Sequence, residues 1–562
     1  MKRTFQTLFC SLLACCFLSC GEHSETIPTE PEKPEEDKKP EVPEEDKTVS
    51  FINCSYIRGD FYELGNVSAE SMNACTDLIY LEASSYANGD ITYNLPHNDA
   101  VLGTEATHVA EFQNHKGVVR LSGKGSINCG GGLLDSPRFE ASKGFNQFSV
   151  GTYIYLDEWT AGAAIFEKAN QGPFISLRLD KKEGNLRLIL NSFNSEAIFE
   201  NTGLKPGTWQ HLTFTFNTAN NKKEMKVYVD NQATDAKFTK PFNEQFFKNA
   251  RGVFYLGGSE KGSEHCIKGY LDETFVSAVD TKGRLGQSPI QFNNWNNGKV
   301  LTYWKFDDAS HPGKDSHSWL TRLENIRRDL AGNDKVKLRL GVNGNVKSQD
   351  WKQMISKPES RANFAKQLKE IVQKHQLAGI DLDLEWASTA QEFADYSATI
   401  LKLREVLGKD CILTASMHPI SYKISKAAIN VLDFISLQCY GPQPTWLPYD
   451  KFIECGDKAI AYGIPKEKLV MGVPFYGTSG KNEVAYRNFF PQITNTQQNS
   501  VEYKGATYYF DNLDRMTQKV QHVCASGYAG VMSWDLATDL EYTHERSLLK
   551  CVDKVLKSKQ NK

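Results

Sequence analysis

Asp381, Asp383 and Glu385 stand at alternate positions in the stretch Gly379-Ile-Asp-Leu-Asp-Leu-Glu385, with Ile380, Leu382 and Leu384 filling the others. In a β-strand alternate side chains share a face, so the three carboxyls point one way and the apolar chains pack behind them. Carboxyls this close do not all stay ionised, and at least one holds a proton near neutral pH. A protonated carboxyl is a general acid. Glu385 ends the run just before a polar loop, which places it at the carboxyl end of its strand, where α/β barrels keep their reacting groups. The same alternation also describes an ordinary strand with one wet face. The flanks favour chemistry: Gln373 to Gly379 closes one helix, Gln391 to Leu407 forms another, and a strand between two helices is usually buried on both faces. Buried carboxyls without basic neighbours need a reason, and catalysis is the commonest one.

The elements that would position these groups alternate helix and strand. After about Ser316 the expected strands are Val336 to Val342, Gly379 to Glu385, Ile412 to Met417, Phe434 to Tyr440, Leu469 to Pro474 and Ala529 to Trp534. Phe51 to Tyr56 and Asp77 to Leu81 supply two more, separated by a short helix around Ser68 to Asn73. Together they match the strand number of a closed (β/α)8 barrel. Between the two groups helical periodicity disappears. Short strands bounded by Gly, Asn and Asp take over, among them Phe148 to Leu156, Leu186 to Leu190, His211 to Phe216 and Met225 to Val229, a pattern that reads as an antiparallel sandwich. The expected fold class is therefore α/β: a (β/α)8 TIM barrel with an all-β jellyroll sandwich inserted after barrel strand 2. Residues 48–100 would form the first part of the barrel, 101–315 the insert and 316–560 the rest of the barrel. A segment inserted after strand 2 leaves from the face where Glu385 emerges, so the sandwich is expected beside the cleft.

The chain has 562 residues and a net charge of -3, with no basic stripe and no interleaving of aromatic and basic residues, so nucleic acid is not an expected partner. Its 13 cysteines form no C-x-x-C pair and there is no H-E-x-x-H, so no metal or other cofactor is expected. Whether Cys129 and Cys266 join is left open. Lys2 and Arg3 followed by an apolar run from Leu8 to Leu18 read as a secretory signal over residues 1–19. It ends Phe17-Leu-Ser-Cys20-Gly, which resembles a bacterial lipobox with Cys20 as the lipidated residue. Residues 20–47, rich in Pro, Glu, Asp and Lys, cannot bury a core and read as an extended tether. The expected location is the bacterial cell envelope, with the chain anchored by its lipid to the outer membrane. Which leaflet holds the lipid is open.

On four stretches in the right order the sequence resembles the family-18 glycoside hydrolases, the chitinases and endo-β-N-acetylglucosaminidases. Gly379-Ile-Asp-Leu-Asp-Leu-Glu385 is similar to the D-G-x-D-x-D-x-E signature of strand 4, with Ala378 in place of its first Asp. Asp433-Phe-Ile-Ser-Leu-Gln-Cys-Tyr440 is similar to strand 6, Met471-Gly-Val-Pro-Phe-Tyr-Gly477 to strand 7 and Gly530-Val-Met-Ser-Trp534 to strand 8. Gly441 departs from an Asp found in many members, and Gly341-Val-Asn-Gly344 only approximates the strand-3 motif. The resemblance implies substrate-assisted hydrolysis of β-1,4 links between N-acetylglucosamine units, in chitin oligomers or in the chitobiose core of N-glycans. Glu385 would be the acid and base, Asp383 would orient the 2-acetamido group, Asp381 would share a proton with Asp383, and Tyr440 would bind the acetamido carbonyl. Gln438 and Trp534 would bind the sugar, with Asn343, Trp386, Met417 and Tyr476 lining the cleft; His418 and Glu82 lie at strand ends without an assigned role. About 35 residues between strand 7 and the helix beginning at Asn512 leave little room for an extra small domain. The inserted segment resembles the laminin-G, concanavalin A-like jellyrolls through Trp209-Gln-His-Leu-Thr-Phe-Thr-Phe216 and Gly269-Tyr-Leu-Asp-Glu273. The rival expectation is a surface lipoprotein that binds glycans without cleaving them.

Overall fold

The computed structural model describes residues 50–560 apart from 60–65, 96, 132, 135–146, 219–222, 243–251, 261–263, 279–280, 282–299, 345–348, 442 and 481. The expected leader, the tether and Cys20 lie outside the described residues.

Eight parallel strands carry the second half of the chain and its first ordered segment: β1 (Ile52–Arg58), β2 (Asp77–Ser85), β3 (Lys337–Gly344), β4 (Gly379–Leu384), β5 (Ile412–Met417), β6 (Phe434–Leu437), β7 (Leu469–Pro474) and β8 (Gly530–Trp534). Each pairs with the next of these strands, and β8 returns to β1 through Ile52 and Gly530, so the sheet closes into a barrel. Alternation divides its side chains. Ile380, Leu382 and Leu384 face the helices with Leu340, Val342, Ala415, Ile435 and Val473 in one large apolar core. Cys54, Tyr56, Ile79, Leu81, Phe434, Val470 and Met532 form a second, smaller cluster that fills the lumen. The helix after β4, Ala390–Leu407, is fixed at its start by a capping box in which Thr389 and Glu392 satisfy each other's backbone N–H groups.

Between β2 and β3 the chain builds two antiparallel sheets over one shared core that includes Phe148, Phe166, Leu177, Leu188, Phe214, Val227 and Leu271. One sheet is organised around Gln147–Leu156, Trp209–Asn217 and Lys268–Ser277, the other around Ala164–Ala169, Pro173–Leu179 and Leu186–Leu190. The sandwich is an insertion after barrel strand 2, as its sequence predicts. Its entry and exit are laced together: Ala100 N–H donates to Gly313 O at 2.7 Å, and the Trp304 indole donates to Asn98 O at 2.7 Å. Asp315, fully buried, accepts the backbone N–H groups of Asn98, Tyr303 and His317 at 3.0–3.1 Å. Asp315→Ala orphans these donors and is expected to lower stability by about 3 kcal/mol, read as a drop in the urea unfolding midpoint; an unchanged midpoint would remove Asp315 as the clasp.

Two expectations need correcting. The segment after β7 does hold a small unit of its own, a four-stranded antiparallel sheet of Tyr476–Thr478, Glu483–Ala485, Ser500–Tyr503 and Ala506–Tyr509. Its strands have three or four residues each, too few for alternation to be readable. Met417 does not face the cleft. Thr414 and Ser416 point into the lumen, where they bond to Asp381 and Gln438, so the strand period turns Met417 toward the helical shell, where it is 1% exposed.

Candidate active site

Asp381 and Asp383 project into the lumen from β4, and Glu385 follows one residue past the strand's end. The three occupy successive levels of the barrel. At the lowest, Asp381 is fully buried and accepts hydrogen bonds from the Tyr56 hydroxyl of β1 at 2.6 Å and from the Thr414 hydroxyl of β5. At the next, Asp383, 2% exposed, accepts from Gln438 Nε2 at 2.9 Å. The same amide nitrogen lies 3.3 Å from Glu385 Oε1 and 3.3 Å from Ser416 Oγ, so one side chain spans both upper carboxyls. Gln438 N–H donates to Met417 O at 2.8 Å, which extends the course of β6 past Leu437 and aims the amide inward.

Burial raises the affinity of all three carboxyls for a proton. Asp383 is pushed well above the usual carboxylate range, first by desolvation and then by the charges of Glu385 and Asp381, against the Gln438 hydrogen bond. Glu385 is raised by desolvation, opposed by Gln438 and reinforced by the charge of Glu483. Asp381 is raised by desolvation but pulled back by Arg339 and by the two hydroxyls that donate to it. The group can therefore hold a proton near neutral pH next to open space, the requirement for a general acid.

That space is a cavity of about 200 Å³ lined by Glu385, Trp386, His418, Gln438, Tyr440, Gly441, Tyr476, Glu483 and Trp534. A second cavity of about 350 Å³ shares Tyr476, Glu483 and Trp534 with it and continues past Arg58, Asn488, Tyr503 and Lys504. Trp534 packs edge-on against Tyr56 with ring centres 5.1 Å apart, and the Arg58 guanidinium lies 5.5 Å from its ring, held by Asp535 at 2.5 Å. The indole stands at the junction of the two spaces. The Tyr440 hydroxyl approaches Met532 Sδ at 3.6 Å, and the Tyr476 hydroxyl donates to Gly441 O at 3.3 Å. The peptide bonds that follow Glu385 and Trp534 are cis.

Of the residues singled out in the sequence, Asp381, Asp383, Glu385, Gln438, Tyr440, Trp386, Tyr476 and Trp534 converge here. Asn343 stands beside Asp383 across the β3 and β4 pair with its Oδ1 buried and without a hydrogen-bond partner among the described residues, but it is not one of the cavity's lining residues. Met417 is elsewhere. His418 does line the cavity between Trp386 and Trp446, at 5.3 and 4.7 Å, and desolvation pushes its imidazole down to about 4, so it is neutral there. Glu82 serves the fold: it accepts Leu95 N–H at 2.6 Å and lies 3.6 Å from Arg322.

Sequence reasoning missed Tyr56, Thr414, Arg339 and Glu483. Tyr56 and Thr414 lie on expected strands, and a count of which strand positions face the lumen would have found them. Glu483 sits on one of the short strands after β7 and carried no signal.

Residues 193–539, more than half of the chain, match the family model described as Glycosyl hydrolases family 18. The chain is 28% identical over 207 residues to a protein named probable chitinase 2 of Drosophila melanogaster, a match covering 33% of this chain and 42% of that protein. It is 23% identical over 269 residues to class V chitinase CHIT5 of Lotus japonicus, covering 37% of this chain and 67% of that one. The chain thus spans less than half the length of the Drosophila relative. Among solved structures, the GH18 chitinase ChiB from the chitin utilization locus of Flavobacterium johnsoniae aligns at 25% identity and a TM-score of 0.37, over 42% of this chain and 79% of that one. With a closed parallel barrel, the carboxyl run at the end of its fourth strand and a family match across most of that barrel, the chain belongs to the glycosyl hydrolases of family 18.

Proposed function

We propose that this protein is a retaining endo-glycosidase that cleaves β-1,4 links between N-acetylglucosamine units, with Glu385 as acid and base and the sugar's own 2-acetamido oxygen as nucleophile. The observation that carries the reading is the Gln438 amide on the wall of an aromatic-lined cavity, shared by Glu385 of that wall and by Asp383 buried behind it. Two carboxyls two residues apart at the end of one strand, bridged by one amide, cannot work from opposite faces of a sugar as the usual retaining pair does, whereas family 18 is a recognised exception that uses substrate assistance. Glu385 would protonate the leaving oxygen. Asp383 would hold the acetamido N–H as charge develops, Tyr440 its carbonyl, and Glu385 would then activate water.

Two substrates share this chemistry: chitin oligomers and the chitobiose core of N-glycans. The small sheet after β7 adds a wall to the larger cavity, which favours a linear oligomer threading past Trp534. The test is to incubate the full chain with chitooligosaccharides, with a high-mannose glycoprotein and with cello-oligosaccharides, and to identify products by mass spectrometry. Cleavage of a 2-acetamido sugar alone is expected; equal cleavage of the glucose series would refute substrate assistance. Binding without cleavage of anything would instead favour the glycan-binding lipoprotein.

Glu483→Gln provides a pH test. Its negative charge raises the proton affinity of Glu385, so removing it lets the acid lose its proton sooner. The basic limb of kcat/KM is expected to move to lower pH by up to about one unit, with the acidic limb in place; an unmoved basic limb would uncouple the two groups.

The proposal extends to delivery, with a lipid on Cys20 and the 20–47 tether holding the barrel at the bacterial envelope and a laminin-G-like sandwich beside it. Palmitate labelling lost in Cys20→Ala is the expected result, and undiminished labelling would remove the anchor.

A further inference from the structure

Beneath the carboxyl run the lumen holds an ion pair that neither cavity reaches. Arg339 on β3 places Nη1 2.5 Å from Asp77 Oδ1 on β2, with the arginine fully buried and the aspartate 7% exposed. Its Nη2 lies 3.4 Å from Cys54 Sγ on β1, and its guanidinium is 4.8 Å from the Phe434 ring of β6. The register sets Arg339, Gly341 and Asn343 opposite Gly379, Asp381 and Asp383, so the guanidinium sits one level below Asp381. Replacing a buried ion pair by well-packed apolar side chains is often neutral or stabilising, so such a pair is weak evidence for a role in stability. A role in the chemistry above it is the alternative.

We propose that the Arg339 and Asp77 pair positions the catalytic proton: the guanidinium beneath Asp381 keeps that carboxylate ionised, so the proton is held one level up, on Asp383 and Glu385, within reach of a bound sugar. Asp381 is faced by every neighbouring strand of this level. Tyr56 and Cys54 come from β1, Arg339 from β3, Thr414 from β5 and Asp383 from its own strand, and the charge of Asp381 also reaches Tyr396 of the following helix. The two hydroxyls donate to the carboxylate, and Arg339 is the cation among these groups. Against desolvation, its charge is the first influence that favours the ionised form of Asp381. Ionised Asp381 in turn raises the proton affinity of Asp383. Arg339 touches no substrate and acts through Asp381; it is a positioning residue.

The inference rests on the glycosidase reading, and its test separates the two. On this proposal the acidic limb in the pH profile of kcat/KM is the one that Asp381 sets when it takes up a proton. Arg339→Met removes the cation, so that limb is expected to move to higher pH by about one unit. Asp77→Asn leaves the cation uncompensated and is expected to move it to lower pH. Arg339→Lys keeps the charge and is expected to restore the wild-type limb. A merely structural pair would lower thermal stability in both partners' variants without moving the limb in opposite directions, and that result would overturn the proposal. Should Arg339→Met not fold, Asp77→Asn and Arg339→Lys decide. Should the wild-type chain turn over no substrate, the glycosidase reading fails alone. Carboxyl carbon NMR titration of Asp381 in the same variants then reads the electrostatics directly, with opposite shifts supporting the pair's action and no shift refuting it.

Discussion

Glu385→Gln is expected to lower kcat on an N-acetylglucosamine oligomer by about 1,000-fold or more, with KM changed little. Gln keeps the length and shape of the side chain and can still accept from Gln438 Nε2, now 3.3 Å from Glu385 Oε1, so the cavity and its affinity for sugar should persist. The amide has no proton to give to a leaving oxygen, and it cannot later take one from water. Both half-reactions lose the same group, which is why the effect is large. The basic limb of the pH profile should vanish with it, because that limb reports deprotonation of an acid raised by desolvation and by Glu483. The measurement is product formation at saturating substrate together with calorimetric binding of the same oligomer. Undiminished turnover would transfer the acid role to another group, with Glu483 the remaining carboxyl lining the cavity; lost binding would show that Glu385 holds the sugar rather than protonating it.

The site was legible where function and strand period coincide. Alternation in Gly379 to Glu385 separates the carboxyls from the leucines without any knowledge of the fold, and the structure keeps that separation to the last residue. Ile412–Met417 and Leu469–Pro474 have the bounds that their apolar content suggests. Legibility failed where the decisive fact is a strand's phase rather than its existence. Met417 looked like a cleft residue because it ends a strand, but the lumen positions of β5 are Thr414 and Ser416, and phase becomes visible only when a neighbour's hydrogen bond fixes it. Arg339 was overlooked for a related reason. In a strand flanked by Leu338 and Leu340 a single cation looks like a solvent-facing charge, and its burial against Asp77 emerges only once β2 lies beside β3. Glu483 belongs to a sheet whose pieces are too short to carry any period, so the cavity wall that it forms depends on packing between segments distant in sequence.

Asp383→Asn is expected to reduce kcat by about 100-fold or more and to do so differently from the loss of the acid. Asp383 is 2% exposed, accepts from Gln438 at 2.9 Å, and is raised by desolvation and by carboxyls on either side. Asn matches its shape, so the fold and the cavity should survive, and KM should change little. What Asn cannot supply is negative charge at the moment when the acetamido nitrogen becomes positive, so the loss falls on the intermediate. A stable thiazoline mimic of that intermediate should therefore lose affinity for Asp383→Asn by a factor comparable to the loss in kcat, while a plain oligomer binds both proteins alike. Glu385→Gln should show the opposite pattern, retaining the mimic and losing turnover, because the acid acts on the leaving oxygen and the mimic has none. If the mimic binds wild type and Asp383→Asn equally, Asp383 does not stabilise the charge on the sugar. Its buried carboxyl would then serve only to hold Gln438 in place, and the nucleophile would have to be sought outside the substrate.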